Sequence, residues 1–183
     1  YLVLHFPTSQ KTSKDYFEID FLIGQNFLIT THYEPITELV EFSKAFELGP
    51  WLHGNHSEKL NGGFIFFYLL RSLYQTEGLA LDYINQRLRQ IEQSVFTGQE
   101  KKMVKLLTEV NRDLLDFRWT LKAHHEILNS LIDAGKDFFP ADFQYYLQAI
   151  LGEYERVWSM IEVNRATFLD LRETNDSLLA IKT

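Results

Sequence analysis

Apolar side chains recur at helical spacing through most of the second half of the chain. The clearest case is the segment from Ala141 to Thr183, which contains no proline and one internal glycine, Gly152. Continued to the last residue, this segment would form a helix roughly 65 Å long at ~1.5 Å per residue. Its apolar positions step by four, three, four and three residues, as in a helix packed along one side: Leu147, Leu151, Tyr154, Trp158 and Ile161. We therefore predict a long final helix that neighbours hold along its length.

The same spacing predicts two earlier helices joined as a hairpin. The first runs from Phe64 to Phe96 and the second from Glu100 to Ala134. Between them lies a three-residue turn with Gly98 where a helix C-cap belongs, and Gly135 closes the second helix. Two long helices joined by so short a turn must be antiparallel neighbours. The second helix is expected to turn one set of apolar side chains inward: Val104, Leu107, Leu114, Phe117, Leu121, Leu128 and Leu131.

The first part of the chain has a different period. Tyr1 to Phe6 is a short apolar run, Tyr16 to Ile23 alternates, and Phe27 to Tyr33 is rich in β-branched residues, so each predicts a strand. The turn between the second and third strands is short enough to make them an antiparallel pair. Pro35 to Phe46 returns to helical spacing. Three strands and one helix do not complete a sheet domain, so we expect further strands before Tyr1.

Together these elements predict an α+β fold: a truncated mixed α/β sheet domain, then three long helices. We place the sheet domain at residues 1–60, the helical hairpin at 61–135 and the final helix at 136–183. The chain begins with Tyr1 inside an apolar run, which indicates a fragment of a longer protein. Its longest apolar run, Phe64 to Leu70, is too short to span a bilayer. We therefore expect the fragment itself to be soluble.

Composition excludes several classes of function. The formal net charge of −7 argues against nucleic acid as a partner, because phosphate binding needs concentrated lysine and arginine. The sequence has no cysteine, which removes disulfides, thiolate zinc sites and cysteine nucleophiles together. A hydrophobic fraction of 45% with 15% aromatic residues excludes a disordered chain.

Motifs of catalysis are missing from the sequence. Neither of the glycine-rich nucleotide loops occurs, and no glutamate is followed by a histidine three residues later, as di-metal helical bundles require. His124 and His125 lie side by side in a helix, where adjacent side chains point about 100° apart, so a packing or surface pair is favoured over a metal site. His53 and His56 could bind a metal, but a solvated loop is the better interpretation. We predict no enzyme activity and no organic cofactor.

Acidic side chains follow the final helix, and they have two interpretations: Glu153, Glu155, Glu162, Asp170, Glu173 and Asp176. The first is a solvated polar face. The second is binding of a hard cation, which needs several oxygen ligands. Glu162 and Asp170 lie about 12 Å apart along a helix axis, so they cannot share an ion within one chain. A cation site here would have to be completed by another chain.

Three stretches resemble the CorA family of magnesium and cobalt transporters, including its zinc-transporting ZntB branch. Ile84 to Gly98 is similar to the family's outer helix, which ends in an F-x-G turn, and Leu114 to Leu131 is similar to its return helix. Ala149 to Thr183 resembles the stalk helix, and its last two residues resemble the K-T-N that precedes the first membrane helix. The strands and the helix at Pro35 fit the end of the family's N-terminal domain.

The resemblance implies a homopentamer whose stalk helices line a funnel, with divalent cations such as Mg²⁺ bound between subunits. The family's stalk aspartate falls on Ala166 here, with Glu162 and Asp170 one turn to either side. The connection between the first two strands carries no acid before Asp15. The candidate inter-subunit metal ligands are therefore Asp15, Glu162 and Asp170, in a site built differently from the family's.

The function that the resemblance implies is a regulatory, funnel-forming domain of a divalent-cation transporter for Mg²⁺ or Co²⁺, with Zn²⁺ as a further possibility. The domain would lie at the cytoplasmic face of the inner membrane, joined to a transmembrane region outside this sequence. The alternative is a soluble helical scaffold that uses its long helix to bind partner helices.

Overall fold

The computed structural model describes residues 1–8, 16–49, 61–141 and 143–182. This part of the chain has an antiparallel sheet followed by long helices, so the predicted α+β fold class is confirmed. The elements are strands β1 (Leu2–Pro7), β2 (Tyr16–Ile23) and β3 (Leu28–Thr31), and helices α1 (Thr37–Leu48), α2 (Gly62–Phe96), α3 (Glu100–Leu121), α4 (His124–Phe138) and α5 (Phe143–Lys182).

The three described strands form an antiparallel sheet in the order β1-β2-β3. Leu4 lies opposite Ile19, and both are fully buried, as alternation along a half-buried strand requires. Phe21 pairs with Thr30 across the next ladder, which confirms the predicted antiparallel pairing of β2 and β3. The buried face of this small sheet packs against the helices, with the ring of Phe21 edge-on to that of Phe66 at 5.3 Å.

The start of α2 is fixed to the turn between β2 and β3. The Asn61 side chain caps the helix by accepting a hydrogen bond from the backbone N–H of Phe64, at 3.0 Å. The N–H of Gly62 donates to the carbonyl of Gln25, and a Cβ at Gly62 would lie 2.1 Å from the carbonyl oxygen of Phe27. Only glycine fits at this point, which is the first residue of α2.

A glycine turn joins α2 to α3, as predicted. Gly98 has a φ of 88°, in the left-handed region that favours glycine. The N–H of Gln99 donates to the carbonyl of Ser94, and that of Gly98 to the carbonyl of Val95. These two bonds form a Schellman motif, which ends α2 and reverses the chain. Arg87 of α2 then pairs with Asp113 of α3, so the two helices are antiparallel.

The return helix differs from its prediction in two ways. A single helix from Glu100 to Ala134 was expected, but a short turn at Lys122 and Ala123 separates α3 from α4, and α4 continues to Phe138. Val104 was expected inside and is 45% exposed instead, because Met103 occupies the inward position one residue earlier. The inward positions of α3 step by four and three residues: Met103, Leu107, Val110, Leu114, Phe117 and Leu121.

The final helix α5 spans 40 residues without a break. It runs parallel to α2, because Phe64 contacts Tyr146 near one end and Asn85 bonds Asn164 further along. Its buried positions step regularly by four and three residues: Phe143, Leu147, Ile150, Tyr154, Val157, Ile161, Asn164, Phe168, Leu171 and Asn175. Leu151 and Trp158, expected in this row, are only half-buried beside it.

Candidate metal-binding face of the last helix

Glu162 lies at the edge of the packed face of α5, where the hairpin reaches it. Its Oε1 atom lies 3.3 Å from Nε of Arg118 on α3, and its side chain is 39% exposed. The pair brings residues from two helices together, but a half-exposed ion pair contributes less than ~1 kcal/mol. A cation bound at Glu162 would therefore compete with a guanidinium that is already in place. The sequence does not indicate that Arg118 lies beside Glu162, because the two residues are far apart in the chain and belong to different helices.

Asp170 lies on the opposite, exposed face of α5, as does Ala166. Asp15 falls outside the described residues, and so do His53 and His56. Within the ranges that the structure describes, no three His, Cys, Asp or Glu side chains lie close enough together to hold a metal ion. A single chain thus brings Glu162 and Asp170 onto one helix but does not bring them to one ion.

The exposed face of α5 has a regular composition of its own. Small and acidic side chains lie along it, opposite the buried row and together with the exposed Val163: Gly152, Glu155, Ser159, Ala166, Asp170, Glu173 and Ser177. We call this set the stalk face. Small residues permit close approach of another helix, while the carboxylates supply negative charge. The stalk-face side chains are exposed in this chain.

Two asparagines interrupt the apolar row on the packed side of α5. Asn164 is 2% exposed; its amide donates to the carbonyl of Leu81 and its oxygen accepts from Asn85, at 3.0 and 2.9 Å. Asn175 is fully buried, but neither polar atom of its side chain has a hydrogen-bond partner in the described structure. Both asparagines continue the spacing of four and three residues beyond Ile161. This spacing is the sequence signal that could have predicted their burial.

His124 resolves the question of the adjacent histidines. Its side chain is buried, whereas that of His125 is exposed. Nε2 of His124 lies 2.8 Å from the carbonyl oxygen of His5, so it must carry the proton, and Nδ1 accepts from the hydroxyl of Tyr74 at 2.8 Å. Burial lowers the pKa of His124 to about 4. The favoured interpretation, a packing or surface pair, is thus confirmed: one histidine packs and the other lies at the surface.

No helix of the described chain combines the length and the apolar character needed to cross a membrane.

Comparison with known proteins adds to this geometry. Among solved structures, the full-length CmaX protein aligns with a TM-score of 0.80 at 15% identity, over 98% of this chain and 54% of that one. The complete CorA magnesium transporter from Methanocaldococcus jannaschii aligns with a TM-score of 0.77 at 15% identity, over 99% of this chain and 56% of that one. The chain therefore spans about half the length of either protein.

A third solved structure is that of a cytoplasmic domain. The ZntB cytoplasmic domain from Vibrio parahaemolyticus RIMD 2210633 aligns with a TM-score of 0.76 at 14% identity, over 96% of this chain and 67% of that one. At these identities the structural likeness establishes the fold. No curated protein sequence matches the chain. The model of the CorA-like Mg²⁺ transporter protein family, in contrast, matches residues 1–183, and the chain belongs to that family.

Proposed function

We propose that this chain is the cytoplasmic domain of a divalent-cation transporter at the inner membrane, whose membrane-spanning segments lie outside the sequence. The observation that carries the proposal is the family match over residues 1–183. The unbroken helix α5 supports it, because one side packs on the hairpin while the stalk face is left for other chains. The domain acts by binding and conformational change, not by covalent chemistry.

In this proposal the protein is a homopentamer, and the stalk face lines a funnel shared by identical neighbours. Small side chains such as Ser159 and Ala166 allow the helices to approach, and a wet funnel tolerates the carboxylates between them. Like charges on facing helices repel each other at close range. The negative net charge of the chain adds to that repulsion.

Divalent cations would relieve the repulsion by binding between subunits. We propose Asp15, Glu162 and Asp170 as contributors, with ligands from more than one chain around each ion. Bound ions stabilise the assembly that holds them, so a fall in cytosolic ion concentration would let the stalks separate. Arg118 would act as an internal competitor for the carboxylate of Glu162, since it already pairs with it.

The test is ion flux by the full-length protein in liposomes, followed with an entrapped indicator for Mg²⁺, Co²⁺ or Zn²⁺. We expect flux that depends on the divalent ion and is altered by Asp170→Asn. Asp133→Asn is the matched control, because Asp133 lies on α4 and pairs only with its neighbour Lys136 among the described residues. Absence of divalent-dependent flux would contradict the proposal and favour the soluble scaffold.

A further inference from the structure

A cavity of about 690 Å³ lies where the sheet meets the helices. Pro7 and Phe17 line it from the sheet, Ile36 from the segment before α1, Ala80 from α2 and Phe117 from α3. Its size falls in the range of ~300–1,000 Å³ that is typical of small-molecule sites. No stalk-face residue lines the cavity, and neither does Glu162.

Glu77 is the deepest charged group of this cavity. It belongs to α2, lies on the cavity wall and is 5% exposed. It has no hydrogen bond and no ion pair with any residue that the structure describes, unlike the buried side chains of His124 and Asn164. Burial raises the pKa of the Glu77 carboxyl well above its usual value, and the charge of Glu38 raises it further. A buried carboxyl without a partner is costly, and a cation would relieve that cost.

The remaining charges of the cavity favour a positive ligand. Five acidic and two basic side chains line its described part; the acids are Glu34, Glu38, Glu77, Asp113 and Asp116. Arg87 already pairs with Asp113 and Glu109, so its charge is compensated within the protein. Arg112 is exposed at the surface. Among the described lining residues the acids therefore outnumber the bases by three, which favours a positive ligand over phosphate and other anions.

The geometry also favours an organic cation over a metal ion. The described carboxylates do not converge: no three of them lie close enough to ligate one ion. The rings of Tyr16, Phe17 and Tyr83 line the same cavity. Aromatic faces attract ammonium groups by a cation–π interaction, while aliphatic carbons fill apolar space.

We propose that this cavity binds a small organic cation that carries ammonium groups, with Glu77 as the carboxylate that receives one of them. The ligand would contact the sheet, the segment before α1 and the hairpin together, and so would bind at the junction of the two parts of the fold. This site does not depend on ion transport, and either function can fail without the other.

Isothermal titration of the 183-residue chain with spermidine, at neutral pH and constant ionic strength, tests the proposal. We expect saturable binding that weakens about tenfold or more in Glu77→Gln, because one charge-assisted hydrogen bond is lost. Glu92→Gln is the matched control, since Glu92 lies on the same helix with an exposed side chain, and should leave binding unchanged. Glutamine has the shape of the neutral carboxyl, so the variant is expected to fold.

Three outcomes would overturn the proposal. The first is the absence of saturable binding, and the second is equal binding by wild type and Glu77→Gln. The third is an equal response to MgCl₂, which would indicate a metal site or general charge screening. Amide chemical shifts of the wild-type chain provide a measurement that needs no variant: spermidine should shift Thr76 to Ala80, beside the cavity, and leave the far end of α5 unchanged.

Discussion

His124 and Glu77 are buried titratable side chains at the same junction between the sheet and the helices, but their surroundings differ. His124 bonds to a hydroxyl from α2 and to a carbonyl from β1, so it connects three parts of the fold. Glu77 lies one helical turn after Tyr74 and has no polar partner in the described structure. Burial disfavours the charged form of both groups, lowering the pKa of His124 and raising that of Glu77.

The difference separates a group that stabilises the fold from one that the fold tolerates. The neutral form of His124 satisfies both of its ring nitrogens, so its burial leaves no polar group unpaired. Glu77 has no such partner among the described residues, and burial disfavours its charged form. A buried charged side chain that has no structural role is a candidate for a role in function. The cation site proposed above rests on this reasoning.

The largest effect is expected for His124→Ala. This change leaves the Tyr74 hydroxyl and the His5 carbonyl without partners and opens a cavity among aromatic rings, so we expect a loss of about 4 kcal/mol in the free energy of unfolding. The measurement is chemical denaturation followed by circular dichroism. His125→Ala is the matched control, with an expected change within about 0.5 kcal/mol because its side chain is exposed. Equal losses of unfolding free energy in the two variants would show that His124 does not have this structural role.

Acid should destabilise the protein through the same residue. His124 takes up a proton near pH 6.5 when the chain is unfolded but only near pH 4 when it is folded. Between these values the unfolded state binds more protons, so stability is present above pH 6.5 and falls as the pH drops toward 4. The loss should reach about 3 kcal/mol. Denaturation curves across this window should show the fall in wild type, and His124→Gln should lack this component.

Glu77→Gln should act in the opposite direction. The folded-state pKa of Glu77 is raised, so its contribution to stability is lost as the pH rises from its unfolded value, and at neutral pH it is unfavourable. We expect the variant to be more stable than wild type in amine-free buffer at neutral pH. Glu92→Gln should show no gain. A loss of stability in Glu77→Gln would mean that the carboxylate has a stabilising partner, and the comparison with His124 would fail.

The burial of Glu77 can be predicted from the spacing of residues along the sequence. Tyr74, Glu77, Leu81 and Ile84 step by three, four and three residues, so the period that predicts α2 also places Glu77 on its buried side. The period cannot say what the side chain meets there. The partners of His124 are 50 and 119 residues away, and only the folded chain brings them together.

The candidate metal site is predicted less completely than the fold, for a physical reason. Helix periodicity is local, so α2 and α5 follow from short stretches of sequence. The break before His124 was missed because the buried row continues across it, from Leu121 to His124 and Leu128, without a change of phase. An ion between subunits depends on a second chain, which no spacing within one chain can position.

The smallest effect is expected within α5, where a hydrogen-bonded and an unpartnered buried side chain can again be compared. Asn164 bonds to Leu81 and Asn85, whereas the fully buried side chain of Asn175 has no hydrogen-bond partner among the described residues. Asn164→Leu should therefore lower the free energy of unfolding by about 1 kcal/mol, and Asn175→Leu should raise it by about as much, because an apolar side chain there removes an unsatisfied group. Paired urea denaturation curves measure both. Changes of the same sign in the two variants would show that burial alone, and not hydrogen bonding, decides the effect of a polar side chain in this row.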